Sequence, residues 1–419
     1  MRVNRRHLLI LSLLMLPAVA IAQALPIAAS PVLTRIYTPD DFGVAALFLA
    51  IAAVMASVVN GRYELAIGMP ESDEDAINIA ALGAVISVMV SGVFLALIAV
   101  FGKTIASLTN TDAITPWLYL IPVSVLLTGL FNVLSYTNNR LGKFTDIAKA
   151  NVYKSAASTV TQISLGWLAK GASGLIVGSL VAQLVSNIKL YRNVKAHFRL
   201  GQISRQKAIA LARRYKSFPK YSMWSGVLNT TAHNSLTFFM PIVFGLATLG
   251  LYNLATRVLS APAALISSAI GQVFLREATK ERQLHGHAKT SFNKTVKQLV
   301  LIGAPIFTVI FLFAEPIFGL VFGESWRKAG AYAAALTPLL FAQFVVSTVS
   351  MMNVVFEKNH IGFYWQFILA GLSLSLIYAA YAWQWSFIEY LWVTSLTLSV
   401  HYLALLVIMS TYNKHAKQS

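Results

Sequence analysis

Residues 76–101 read AINIAALGAVISVMVSGVFLALIAVF, a run without a single charged side chain. As an α-helix it would be ~39 Å long, enough to cross the ~30 Å hydrocarbon core of a bilayer. Comparable apolar segments fall at about 8–33, 43–66, 115–137, 149–168 and 172–191. After a long basic stretch, others follow at 222–245, 249–274, 297–318, 330–354, 361–383 and 387–410. Each is near the ~20 residues that a spanning helix requires, because backbone polar groups in hydrocarbon must be satisfied within the segment. The pattern predicts an all-α, polytopic membrane protein of about twelve transmembrane helices.

Composition agrees. Of 419 residues, 57% are hydrophobic and 11% charged, against roughly 25% charged in a soluble chain. Mean hydropathy is +0.66. The sequence contains no cysteine, which excludes disulfide frameworks, cysteine-ligated zinc, iron–sulfur clusters and thiol nucleophiles. Arg2, Arg5 and Arg6 before the apolar run Leu8–Leu16 follow signal-peptide grammar. The apolar stretch continues to about Leu33, however, so an uncleaved first helix is expected.

The net charge of +18 is informative through its placement. With the amino terminus in the cytoplasm, 27 Lys/Arg fall on the inner side and 5 on the outer, with Arg257 inside a helix. The excess of cationic residues in cytoplasmic loops therefore puts both termini inside and requires an even number of spans. The basic segment 192–221 divides a six-helix lobe, 1–191, from a second, 222–419. It is expected to lie as a tether on anionic membrane lipids rather than to bind nucleic acid or a partner. Asp41–Leu47 and Thr248–Leu254 open corresponding spans of the two halves. Six spans per half make them parallel repeats, related by a pseudo-two-fold along the membrane normal, with a substrate cleft expected between them.

Several polar side chains interrupt the apolar spans. No acidic residue occurs between Asp146 and Glu277. Lys154 and Arg257 sit within apolar segments, where charge is costly unless it faces a cavity or a partner. Asn253 precedes Arg257 by one helical turn and shares its face. Ser225, Asn229 and His233 repeat at four-residue spacing in the seventh span, either lining a wet lumen or bonding between helices. Arg62 and Glu64 lie near the inner end of the second span; two apart on a helix, they would not share a face. Glu64 is the acid best placed to sense protons or cations, or else an end-of-helix charge reaching the headgroups.

Other motifs have simpler explanations. Thr38-Pro39-Asp40-Asp41 has the form of an N-cap, a proline at the first helical position and a capping-box acid, so a catalytic acid there is not needed. Gly102-Lys103-Thr104 lacks the upstream glycine of a phosphate loop, since Leu97 stands there. His285-Gly286-His287 lies in a basic loop without acidic neighbours in sequence, a poor metal site. No cofactor is implied.

Leu33–Gly43 followed by Gly61–Ile67, and Phe218–Tyr221 followed by Asn229, Phe244-Gly245, Leu249–Leu259 and Pro262, are similar to the bacterial O-antigen and oligosaccharide flippases. These belong to the multidrug/oligosaccharidyl-lipid/polysaccharide exporter superfamily. The resemblance runs to about residue 300. It implies a two-lobed fold of twelve to fourteen helices, alternating access, and an undecaprenyl-pyrophosphate-linked oligosaccharide as cargo, moved from the cytoplasmic to the periplasmic leaflet of the bacterial inner membrane. It further implies a cationic lumen, with Arg35, Arg62, Glu64 and Arg257 at the matching positions, and leaves room for other glycan-assembly membrane proteins as partners. Two readings compete with a flippase: a cation-coupled multidrug exporter of the same superfamily, which wants an acidic cavity, and a membrane glycan polymerase or ligase, which wants a sizeable extracytoplasmic loop.

Overall fold

The computed structural model describes residues 18, 20–108, 112–169, 171–197 and 200–412. All regular structure among them is helical. The main helices are α1 (Ser30–Ile36), α2 (Pro39–Ala56), α3 (Asp73–Leu108), α4 (Ile121–Arg140), α5 (Phe144–Leu168), α6 (Ser173–His197) and α7 (Arg205–Arg214). They continue as α8 (Met223–Phe244), α9 (Leu246–His285), α10 (Lys289–Phe322), α11 (Arg327–Val349), α12 (Asn359–Ala382) and α13 (Phe387–Thr411).

Among the described residues nine helices are long and apolar enough to cross a membrane. The segments expected at 149–168 and 222–245 are helical too, as α5 and α8, but their polar residues dilute the hydropathy. The expected first span lies partly outside the described residues; its described portion forms a shorter apolar helix over Ala20–Ile36. The start of α2 follows its sequence signal. The Thr38 hydroxyl accepts from the Asp41 backbone N–H at 3.3 Å while the Asp41 carboxylate accepts from the Thr38 N–H at 2.9 Å.

The chain forms two compact units, Met1–Gly250 and Leu251–Ser419. In the first, glycines set the helix spacing. Membrane helices gain nothing from hiding apolar side chains from lipid, so close backbone approach through small residues does the packing. The Tyr37 hydroxyl donates to the Gln162 carbonyl of α5 at 2.6 Å. It sits where a Cβ on Gly174 of α6 would be only 2.0 Å away, and one on Gly166 2.6 Å away. One turn on, a Cβ at Gly178 would come within 3.2 Å of the Ser158 carbonyl.

The second unit packs around aromatic rings. Gly303 on α10 admits Phe341 and Phe344 of α11, and its Cβ would lie 2.9 Å from the Phe341 ring. Phe307 closes this cluster at centroid distances of 5.6 and 5.8 Å. Helices α12 and α13 are joined by Trp365 stacked on His401 at 4.9 Å, with the indole N–H donating to the His401 carbonyl at 3.2 Å.

Helix α9 has 40 residues, or ~60 Å of rise, so its far end runs beyond the bilayer. There the chain reverses at Gly286, whose φ is +72°. The His285-Gly286-His287 loop has an acidic neighbour in space after all: the turn brings His287 Nδ1 to 3.3 Å from Glu281. Among the described residues no group of three or more such side chains could hold a metal. Glu281 instead accepts from the backbone N–H groups of Thr290 at 2.8 Å and Ser291 at 2.7 Å, capping α10. Burial pushes this carboxyl up, but hydrogen bonds from Ser291 and Thr290 outweigh it and bring the pKa down to about 2.

Two predictions follow from this packing. Gly174→Leu should prevent assembly of the α5/α6 pair, so the yield of monodisperse protein in detergent collapses while Gly92→Ala, in open space on α3, leaves it usable. The depressed Glu281 pKa stabilises the fold fully above the ordinary value of 4.5 and loses that contribution as pH falls toward 2. Glu281→Gln should therefore lower the melting temperature at pH 7 and flatten its decline between pH 5 and pH 3.

Candidate functional site

The expected second span, 43–66, is not one helix. Helix α2 stops at Ala56. The chain then turns through Gly61 and Arg62, with φ values of 58° and 61°, and continues as a 3₁₀ turn over Tyr63–Gly68. The left-handed conformation at Arg62 is uncommon for a residue with a Cβ and is held only by its surroundings. It also corrects the geometry of the charges. In a helix Arg62 and Glu64 would point apart; here Arg62 Nη1 lies 3.8 Å from Glu64 Oε1. Glu64 is 4% exposed. Among the described residues its Oε2 and the Arg62 Nε have no hydrogen-bond partner. The guanidinium rests on α8 at Gly226, where a Cβ would lie 2.1 Å from Nη2.

Three contacts hold this broken segment in place. Asn60 is buried, and its side-chain amide donates to the Ser87 hydroxyl at 2.7 Å, the Gly129 carbonyl at 3.1 Å and the Gly83 carbonyl at 3.3 Å. Arg140, at the end of α4, donates to the Pro70 carbonyl at 2.7 Å, and its Nη2 and Nε both donate to Asp73 Oδ1, at 3.0 and 3.1 Å. Tyr63 donates to the Ala212 carbonyl of α7 at 3.0 Å.

That last bond revises the reading of the basic linker as a tether. Leu211 is buried with Tyr63, Ile77 and Val133. Lys207 reaches Glu74 at 2.6 Å, and Asn78 donates to the Gln202 carbonyl at 3.0 Å. The linker is bonded to the helix ends of its own unit because α7 carries one apolar stripe that α3 can cover. Arg205, Arg213 and Arg214 remain exposed on its other side.

The remaining sequence-derived residues are placed as follows. Lys154 of α5 is half-buried, with its ammonium 4.9 Å from the centre of the Phe131 ring. Asn229 and His233 are exposed on α8, the helix that carries Gly226. In the second unit Asn253 and Arg257 are half-buried, one turn apart on α9. Between residues 246 and 257 a helix rises ~16 Å, about half the ~30 Å hydrocarbon core. Arg35 is exposed in the last turn of α1, away from any apolar depth. The structure thus joins Arg62 with Glu64 and α8, and Asn253 with Arg257. Asn60 and Arg140, which frame the site, were not anticipated; the Asn60-Gly61 dipeptide, a common turn signal, was the available clue.

Apolar helices of spanning length with cationic side chains among them define a multi-pass membrane protein. Over residues 32–331 the sequence matches the family described as polysaccharide biosynthesis protein, and the chain belongs to that family. It is 24% identical over 312 residues to the succinoglycan biosynthesis transport protein ExoT of Rhizobium meliloti (strain 1021), covering 71% of this chain. The chain spans 59% of the length of that relative. Among solved structures, the lipid II flippase MurJ in an inward closed conformation matches with a TM-score of 0.69 at 16% identity, over 95% of this chain and 88% of that one. An inward-facing multidrug resistance transporter of the MATE family matches with a TM-score of 0.56 at 14% identity, over 95% and 94%. At such identities the two structures speak for the fold.

Asn60→Ala removes the bonds of two amide hydrogens, shared among Ser87, Gly129 and Gly83, and the one its oxygen accepts from Asn132 at 3.4 Å; at about 0.6 kcal/mol each inside a membrane protein these three sum to roughly 2 kcal/mol. The variant should melt several degrees lower in detergent, and Asn60→Gln should not restore it.

Proposed function

We propose that the protein moves an undecaprenyl-pyrophosphate-linked oligosaccharide from the cytoplasmic to the periplasmic leaflet of a bacterial inner membrane by alternating access. The observation that carries this reading is Arg257, half-buried on a membrane-spanning helix at a depth where a fixed positive charge is expensive. A fixed cation on such a helix suits an anionic cargo. Family membership supports a role in polysaccharide biosynthesis, and the MurJ-like fold supports transport of a lipid-linked substrate.

Each residue then has a task. Arg257 attracts the pyrophosphate, and Arg62 and Lys154 are the corresponding cationic residues of the first unit. Ser225, Asn229 and His233 present polar groups along α8 to sugar hydroxyls, and Asn253 extends the polar face of α9. The polyprenyl chain stays in the hydrocarbon. Glu64, whose second carboxyl oxygen lacks a partner among the described residues, couples transport to proton or cation movement by changing its hold on Arg62. The exposed arginines of α7 lie against anionic headgroups. Both termini are placed in the cytoplasm by the charge asymmetry. Transport is preferred over polymerisation because the described connections expected outside the membrane, such as Gly323–Trp326 and Trp383–Ser386, are short. A cationic drug is a poor guest for lysine and arginine.

In cells, Arg257→Ala should abolish surface glycan while the protein still reaches the membrane in normal amount, and Arg257→Lys should retain part of the activity. Undiminished glycan in the alanine variant would remove the proposed site. Protection of cells from cationic dyes by overexpression would favour the multidrug exporter instead.

A further inference from the structure

Asp73 opens α3 and Arg140 closes α4, so both stand where these helices leave their apolar runs, 76–101 and 115–137. On the orientation proposed above this level is the cytoplasmic rim of the first unit, outside the hydrocarbon. Between the two helix ends, over the 3₁₀ turn Tyr63–Gly68, lies a cavity of about 560 Å³ lined by Leu65, Gly68, Asp73, Tyr136, Asn139 and Arg140. Its volume is within the ~300–1,000 Å³ of small-molecule sites.

The local sequence builds this cavity. Tyr136, Asn139 and Arg140 are three and four residues apart, so they project from one face of α4. Asn60, bonded to the Gly129 carbonyl of α4, and the Arg140 clamp hold the 3₁₀ turn beneath that face. At the end of the turn a Cβ on Gly68 would meet nothing within 4 Å, so the space above it is open. Tyr136, Asn139 and Gly68 are exposed. Among the described residues the Tyr136 hydroxyl and the Asn139 side-chain amide make no hydrogen bond. Arg140 engages only Oδ1 of Asp73, which leaves the second carboxylate oxygen as an acceptor on a largely exposed side chain.

The chemistry of the lining narrows the ligand. Its one guanidinium is already paired with its one carboxylate, so no net charge draws a phosphate. Phenol, amide and carboxylate groups at a wet rim are poor company for a polyprenyl chain. A sugar ring suits them. Its C–H face can lie on the Tyr136 ring, and its hydroxyls can donate to the Asp73 and Asn139 oxygens while accepting from the Asn139 amide. Leu65 follows Glu64 on the same turn, so a sugar bound here adjoins the Arg62–Glu64 pair. We propose that this cavity is a saccharide subsite at the cytoplasmic rim, which engages uncharged sugar hydroxyls of the lipid-linked cargo before it crosses. This rests on the flippase reading above.

The test uses the full-length protein in nanodiscs and three probes. They are bare undecaprenyl pyrophosphate, the same lipid bearing the oligosaccharide that accumulates when the gene is deleted, and that oligosaccharide released from its lipid. The wild type should prefer the glycosylated lipid to the bare one and should bind the released oligosaccharide more weakly. In the double variant Tyr136→Ala, Asn139→Ala the preference should fall about tenfold, as expected for the loss of neutral hydrogen bonds, with affinity for the bare lipid unchanged. Gly68→Phe fills the cavity from its other side and should give a similar loss, which decides the matter should the double variant misfold. An unaltered preference in a folded variant, or an equal loss for both lipids, would overturn the subsite and leave the flippase reading standing. Released oligosaccharide binding as tightly as the glycosylated lipid would mean a free sugar and overturn the link to the cargo. A wild type that binds neither lipid would overturn both.

Discussion

A charge in hydrocarbon is tolerated only where water, a counter-charge or a functional guest meets it, and this constraint organises the molecule. It keeps most of its 33 Lys and Arg out of the apolar runs, in connections and at helix ends. The exceptions are therefore informative. Lys154 is sheltered over the Phe131 ring, which offers a cation the negative face of an aromatic system. Arg62 sits where a helix is broken so that its guanidinium can pass beside Gly226. Arg257 is half-buried on an apolar helix, one turn from the equally half-buried Asn253.

The break after α2 shows how a fold supports such a group. A continuous helix through residue 66 would satisfy its own backbone but would separate Arg62 from Glu64. Ending it at Ala56 leaves backbone and side-chain groups in need of partners. Asn60 meets that need inside the bundle, Arg140 clamps the returning loop, and Tyr63 ties it to the linker helix α7. The linker is thus part of the frame around the Arg62–Glu64 pair, and the same segment leaves its arginines exposed for the membrane surface.

Much of the fold was legible from hydropathy alone, because a spanning helix needs a long apolar run and few alternatives exist for one. The capping of α2 by Thr38, Pro39 and Asp41 could be read residue by residue, since all of its determinants are local. Less local features escaped. Helical spacing predicted that Arg62 and Glu64 would not meet, yet a left-handed residue and a 3₁₀ turn bring them together. Sequence neighbours gave His287 no acid, whereas the turn at Gly286 supplies Glu281 from the preceding helix. The linker looked like a tether on the lipid surface because its cationic residues outweigh Leu211, the buried apolar side chain of α7. In each case the deciding contact joins residues far apart in the chain or depends on backbone that hydropathy does not sense.

The account stands on Arg257 facing an aqueous, anion-receiving space, and the absence of cysteine from the sequence allows that to be measured directly. A single cysteine introduced as Arg257→Cys should react with a small hydrophilic thiol reagent, since reaction requires thiolate and hence water. Undecaprenyl-pyrophosphate-linked oligosaccharide should slow the reaction, and a cysteine at the exposed apolar position Leu312 should stay unreactive within the bilayer. Failure of the residue 257 cysteine to react in membranes, with the protein folded, would contradict the account.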